Sequence, residues 1–275
     1  MKIAMSSWSY HPLIQSKQMD QLAWVKLCKE LGLDGVELLD IHFPNLGREY
    51  VMSLKKLITD SGLEVPMCSV SSDFGKPDQA ARDESEKLVE SWIKVANWFG
   101  ARMLRVLAGW PGGRDPAKYE SEREKLWPEM IERLSRLARK AEDTGVILVL
   151  ENHNHLGFTK NVDDLLRIIS QVQSDWVRVC LDTGDYLVDT AETNGFPALE
   201  KAMVYAMIIH AKVYEVDEQG KDKKQDWDKI FKILDDAVYD GYLSIEYEGK
   251  DPKNDVPKAA QFFVEKTLLT QSQRR

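Results

Sequence analysis

Four residues able to bind a metal or move a proton recur at near-constant spacing in the second half of the chain. Glu151 closes the apolar run VILVL, Asp182 follows VCL, His210 follows MII and Glu246 follows LSI. They stand 31, 28 and 36 residues apart, each gap about one strand-plus-helix unit. Three carboxylates brought together repel one another and take up protons unless a cation intervenes. A divalent ion resolves that repulsion. One imidazole with three carboxylates is an oxygen-rich donor set that suits Mn²⁺ or Mg²⁺, with Co²⁺ and Zn²⁺ as further candidates. Taken singly, a strand-end carboxylate is commonly a cap or an ion-pair partner and a lone histidine a satisfied core residue. The shared position of all four in successive units argues for one site.

Other candidates surround these four. His153 lies two residues beyond Glu151, on the same side of an extended backbone, and is a candidate for a substrate oxygen or a proton relay; His155 reads as an ordinary loop residue. Lys212 is in phase with His210 and either steadies an anionic intermediate or pairs with Glu151 or Asp182. Glu248 shares a face with Glu246 but falls in the following loop. Arg105 closes another run and reads as a partner for a phosphate or a neighbouring carboxylate. Glu37 is placed to meet substrate hydroxyls or Arg105. Trp8, Tyr10 and Trp110 offer flat rings of the kind that stack on a sugar, with core packing as the plainer role. The stretch GWPGGRDP (109–116) lacks the GK[ST] of a nucleotide loop and reads as a turn or a lid.

Those residues need a scaffold that gathers strand ends. A glycine after an amphipathic segment and before an apolar run recurs at Gly32, Gly62, Gly100, Gly145 and Gly241, the pattern of helix, left-handed glycine cap and strand. The gaps are 30, 38, 45 and 96 residues; the last holds two further units, visible as WVRVCLD (176–182) and AMIIHAK (206–212). With the opening KIAMSS this makes eight strands. Leu88, Trp92, Val95 and Phe99, and likewise Leu126, Met130, Leu134, Leu137 and Ala141, repeat at helical spacing. VILVL and AMII are continuous apolar runs, as in a parallel sheet covered on both faces. The expectation is a single-domain (β/α)8 TIM barrel over 1–275, whose site lies at the C-terminal ends of the strands. A doubly wound sheet is the alternative, but no GxGxxG follows the first strand.

The 275 residues carry 37 basic and 45 acidic side chains, a formal charge of −8. That balance disfavours nucleic acid and anionic lipid as partners. The composition, 43% hydrophobic and 30% charged, suits a chain with a large core. Cys28, Cys68 and Cys180 are far apart with no CxxC spacing, as expected of reduced thiols in a cytoplasmic protein. MKIAMSSWSYHP has no signal-peptide pattern and no segment reaches membrane-span length. The charged runs DEQGKDKKQD and KDPKND read as solvated loops. Nothing in the chain fixes the number of subunits of a homo-oligomer.

The stretches LENH (150–153), CLDTGDY (180–186), IIHAKVYE (208–215) and GYLSIEYEG (241–249), with DGVELLD (34–40) and LRVLAG (104–109), resemble the sugar phosphate isomerase/epimerase superfamily, the xylose-isomerase-like barrels. The resemblance implies that Glu151, Asp182, His210 and Glu246 bind one catalytic divalent metal, and that Glu151 and Glu246 serve as acid and base. The implied chemistry is isomerisation or epimerisation of a small keto-sugar through an enediolate, with dehydration or β-elimination at the same metal as the alternative. Ketohexose 3-epimerases of the superfamily usually carry histidine three residues after the metal aspartate. This chain has Asp185 there, which sets it apart from them. The superfamily's endonuclease branch is disfavoured by the acidic balance and by only five histidines.

Overall fold

The structure, a computed structural model, describes residues 1–153, 155–188 and 194–273. In chain order its elements begin with β1 (Lys2–Ser6), α1 (His11–Gln15), α2 (Gln21–Glu30), β2 (Gly35–Leu39) and α3 (Arg48–Asp60). They continue through β3 (Met67–Ser69), α4 (Gln79–Phe99), β4 (Met103–Val106), α5 (Pro116–Glu142), β5 (Ile147–Glu151) and α6 (Val162–Val172). The remainder is β6 (Val177–Asp182), α7 (Thr183–Leu187), α8 (Phe196–Met203), β7 (Ala206–Val213), α9 (Trp227–Asp236), β8 (Tyr242–Tyr247) and α10 (Pro252–Gln273). The strands stand in the sheet in chain order as a closed barrel, the (β/α)8 architecture that the repeated units predict.

Contacts group the chain into two compact units, Met1–Pro66 with Ile209–Arg275, and Met67–Ile208. In the first, β1 pairs in parallel with β2, Ser6 opposite Glu37, and with β8, Met5 opposite Ile245. In the second, β4 pairs with β3 and β5, and β5 with β6, Glu151 opposite Cys180. β2 to β4 are buried at every position, because helices cover one face while side chains fill the other.

Local signals set the element ends. Side chains of Asp20, Asp78, Asn161 and Asp226 accept main-chain N–H bonds at the starts of α2, α4, α6 and α9, satisfying donors that have no partner inside the helix. Gly32, Gly62, Gly100 and Gly145 take φ of 72°, 69°, 75° and 71°, as the capping pattern requires. Gly241 is the exception. After α9 the left-handed turn falls on Val238 (φ 53°), and Gly241 is needed for space instead: a Cβ there would lie 2.4 Å from the Tyr239 hydroxyl. The apolar stripes of α4 and α5 are buried as their spacing predicts, save that Leu88 is half-buried and its neighbour Val89 takes the core position.

Both charged runs are more structured than solvated loops. Asp222 is buried, accepting main-chain N–H bonds from Tyr214, Glu215 and Gln225, and residues from Pro252 onward begin α10. The three cysteines are buried and none is in a disulfide. Among the described residues no helix is long and apolar enough to cross a membrane.

Candidate functional site

In the second unit, Glu151 is the last residue of β5 and Asp182 the last of β6, 4% and 0% exposed. Arg105 on β4 places Nη1 3.5 Å from Glu151 Oε2, so the guanidinium offsets a buried negative charge. Asn152, 0% exposed, clamps the Asp182 main chain from both sides: its Oδ1 accepts from the Asp182 N–H at 2.7 Å and its Nδ2 donates to the Asp182 carbonyl at 2.9 Å. Asp182 Oδ1 in turn accepts the Asp185 N–H at 2.9 Å, capping α7. Thr159 does for β5 what Asn152 does for β6. Its hydroxyl donates to the Glu151 carbonyl and accepts from the His153 N–H, both at 2.9 Å. Tyr186 donates to the Thr159 carbonyl at 3.1 Å, and burial, with Asp185 close by, pushes its phenol well above the usual range.

His153 Nδ1 lies 3.4 Å from Asp185 Oδ2, and the Trp110 ring meets the His153 ring edge-on at 5.0 Å, with Arg114 over the indole at 4.3 Å. The loop carrying Trp110 is tightly packed where it begins. Asp73 Oδ1 accepts N–H bonds from both Trp110 and Gly75 at 2.9 Å, and Phe158 donates to the Gly109 carbonyl at 3.0 Å. Gly109 has φ 102°, and a Cβ on it would lie 2.1 Å from Asp73 Oδ1. Gly109 thus serves this close packing.

In the first unit, β7 supplies His210 and Lys212 and β8 supplies Ser244 and Glu246. Glu37 is completely buried, and its Oε2 accepts from His210 Nε2 at 3.0 Å and from the Ser244 hydroxyl at 2.6 Å. That bond fixes the imidazole's tautomer and orientation, leaving Nδ1 as the nitrogen that offers a lone pair; it lies 3.6 Å from Glu246 Oε2. Lys212 Nζ pairs with Glu246 Oε2 at 2.5 Å and Glu248 Oε1 at 3.1 Å. Ser9 clamps the strand around Glu246: its hydroxyl donates to the Ile245 carbonyl at 2.9 Å and accepts the Tyr247 N–H at 3.0 Å. Trp8 lies flat against His11, ring centroids 4.4 Å apart, and Tyr10 is buried.

Asn152, Thr159, Ser9 and Ser244 escape the sequence reading. Ser244 had a signal, a polar residue two before Glu246 in an otherwise apolar strand. Ser9 and Thr159 had none, because their partners are main-chain groups.

The chain belongs to the xylose isomerase-like TIM barrel family, which it matches over residues 25–266. Among curated proteins it is similar to the inosose dehydratase of Clostridium beijerinckii, 29% identical over 170 residues, 52% of this chain and 56% of that one. It is also similar to the 3-dehydroshikimate dehydratase of Bacillus anthracis, 26% identical over 192 residues, 66% of this chain and 61% of that one. The match thus spans less than two thirds of these relatives. A solved D-tagatose 3-epimerase-like protein shares the fold with TM-score 0.78 at 18% identity, covering 100% of this chain and 99% of that one.

Proposed function

We propose that this protein is a divalent-metal-dependent enzyme that removes a proton beside the carbonyl of a keto-sugar or related polyol ketone, giving an enediolate, and returns it as an isomerase or epimerase. The observation that carries the reading is the donor set: Glu151 and Asp182 end β5 and β6, His210 and Glu246 stand on β7 and β8, and all four are buried. Three carboxylates and one imidazole drawn from successive strand ends fit a divalent cation, Mn²⁺ or Mg²⁺ first and Co²⁺ or Zn²⁺ next, and burying them would be costly without one. A bound ion supplies Lewis-acid stabilisation of the enediolate, worth several kcal/mol.

The chain's own groups do the rest. Glu246 takes the proton, and Lys212 at 2.5 Å compensates its charge and stands ready to donate to an oxygen of the anionic intermediate. Glu151, backed by Arg105, is the second acid/base group and returns a proton. Glu37 and Ser244 hold His210 in place, while His153, Asp185 and Trp110 form the remainder of the substrate surface.

Elimination is the second reading. It is favoured by the His153–Asp185 pair, which offers a proton to a departing hydroxyl, and by the dehydratase names of the curated relatives. Incubating metal-loaded enzyme with ketoses, inososes and 3-keto-glycosides in D2O, with and without chelator, separates the two by NMR. Deuterium beside the carbonyl with the formula retained supports isomerase or epimerase; a new alkene or enone supports the dehydratase. Full turnover by verified metal-free protein would overturn both.

A further inference from the structure

The segments that follow β1 and β8 enclose a cleft of about 270 Å³, lined by Trp8, His11, Pro12, Tyr247, Glu248 and Pro252 among others. Lys212 joins it to the proposed acid/base, because its ammonium touches both Glu246 and Glu248. Behind the cleft runs a chain of hydrogen bonds: His11 Nδ1 to His42 Nε2 at 2.9 Å, and His42 Nδ1 to the Ser7 hydroxyl at 2.8 Å. The mechanism uses none of these three residues.

Their chemistry is specific. Burial lowers the pKa of both imidazoles, that of His42 to about 4 with help from His11, so the chain is uncharged near neutrality. The serine hydroxyl can donate or accept, so the two imidazoles can shift tautomers together. In one arrangement His11 Nε2 is a donor and in the other an acceptor. A group that serves either way suits a hydroxyl, which itself does both. Glu248 adds an acceptor whose charge Lys212 offsets, and Trp8 and Pro12 add apolar surface for ring C–H groups. The lining holds no Lys or Arg and Lys212 is already paired with Glu246 and Glu248, so a phosphate or carboxylate would meet no cation of its own. The volume falls just under the roughly 300–1,000 Å³ of drug-sized pockets, enough for one ring.

We propose that this cleft is a second carbohydrate subsite, receiving an uncharged, hydroxyl-bearing ring joined to the part of the substrate that reacts at Glu246. The link to substrate rests on the acid/base reading of Glu246; the binding itself does not. The substrate class is thus a keto-sugar bearing a second neutral ring, rather than a free or phosphorylated ketose.

The test is a titration of protein labelled with ¹⁵N at its indoles, using methyl β-D-glucopyranoside as probe, with chelator present and then with Mg²⁺. The Trp8 indole signal, assigned by Trp8→Phe, is expected to shift saturably in both conditions, and inorganic phosphate to leave it unmoved. His11→Ala should weaken the glucoside by roughly tenfold, the loss of one hydrogen bond, and His11→Gln, which keeps a donor and an acceptor, should recover most of it. No saturable shift, a shift by phosphate instead, or equal affinity in His11→Ala and wild type would overturn the subsite. Because the titration reads binding without turnover, its failure leaves the acid/base reading of Glu246 standing. Failure of that reading, shown by unchanged turnover in Glu246→Gln, leaves the indole shift to decide sugar binding alone.

Discussion

Asn152→Ala offers a strong test of how the site is built, because one buried side chain holds the end of β6 by two bonds. Its Oδ1 and Nδ2 engage the Asp182 N–H and carbonyl at 2.7 and 2.9 Å, with the amide 0% exposed. Alanine removes both bonds to buried main-chain groups, at about 1–3 kcal/mol each, so a loss of about 2–6 kcal/mol is expected. For a chain of this size about 2–4 °C accompanies each kcal/mol, which places the melting temperature about 4–24 °C lower. Asp182 would also lose its registration beside Glu151, and loss of a supporting partner typically costs a metal site about 10–100-fold in affinity. The assays are thermal unfolding in chelator and calorimetric titration with Mn²⁺. A variant that melts within 1 °C of wild type and binds Mn²⁺ within twofold, by either measure roughly inside the error of such comparisons, would refute the clamp.

Glu246→Gln should reduce turnover by at least about a hundredfold, the usual contribution of a positioned base, while circular dichroism stays native because the amide oxygen still accepts from Lys212. Unchanged turnover would remove Glu246 from the acid/base role. Stability should also fall as pH drops from 6.5 towards about 4, through His42. Its folded-state pKa is lowered to about 4 by burial first and His11 second, so in that window the unfolded chain binds the extra proton and is favoured. The contribution is complete above pH 6.5 and costs at most about 3 kcal/mol by pH 4. His42→Gln should flatten the urea-unfolding profile by that difference; parallel profiles for wild type and variant would contradict it.

Much of this was legible because barrel strands announce themselves twice, by apolar runs and by the glycine that ends the preceding helix. The ionisable residues Glu151, Asp182, His210 and Glu246 stood out because each interrupts such a run at its end. The supporting groups were less visible for a physical reason. Asn152, Thr159 and Ser9 act on main-chain atoms, which carry no residue type to recognise. Glu37 was visible as a strand-end acid, but its partners His210 and Ser244 lie 173 and 207 residues away, a pairing that only barrel closure creates. The Trp110 loop was readable only as a turn or a lid because glycine marks both mobility and tight packing; Asp73 and the φ of 102° at Gly109 show the packing where the loop begins. Gly241 misled, since the turn it seemed to cap is made by Val238.

The central claim is that Glu151, Asp182, His210 and Glu246 together hold one divalent ion. A crystal of Mn²⁺-loaded protein, with data collected at the manganese absorption edge, tests it most directly. A single anomalous peak within coordination distance, about 2.0–2.4 Å, of oxygens from the three carboxylates and of His210 Nδ1 is expected. A map with no peak among those side chains, or with manganese bound only elsewhere, would contradict the account.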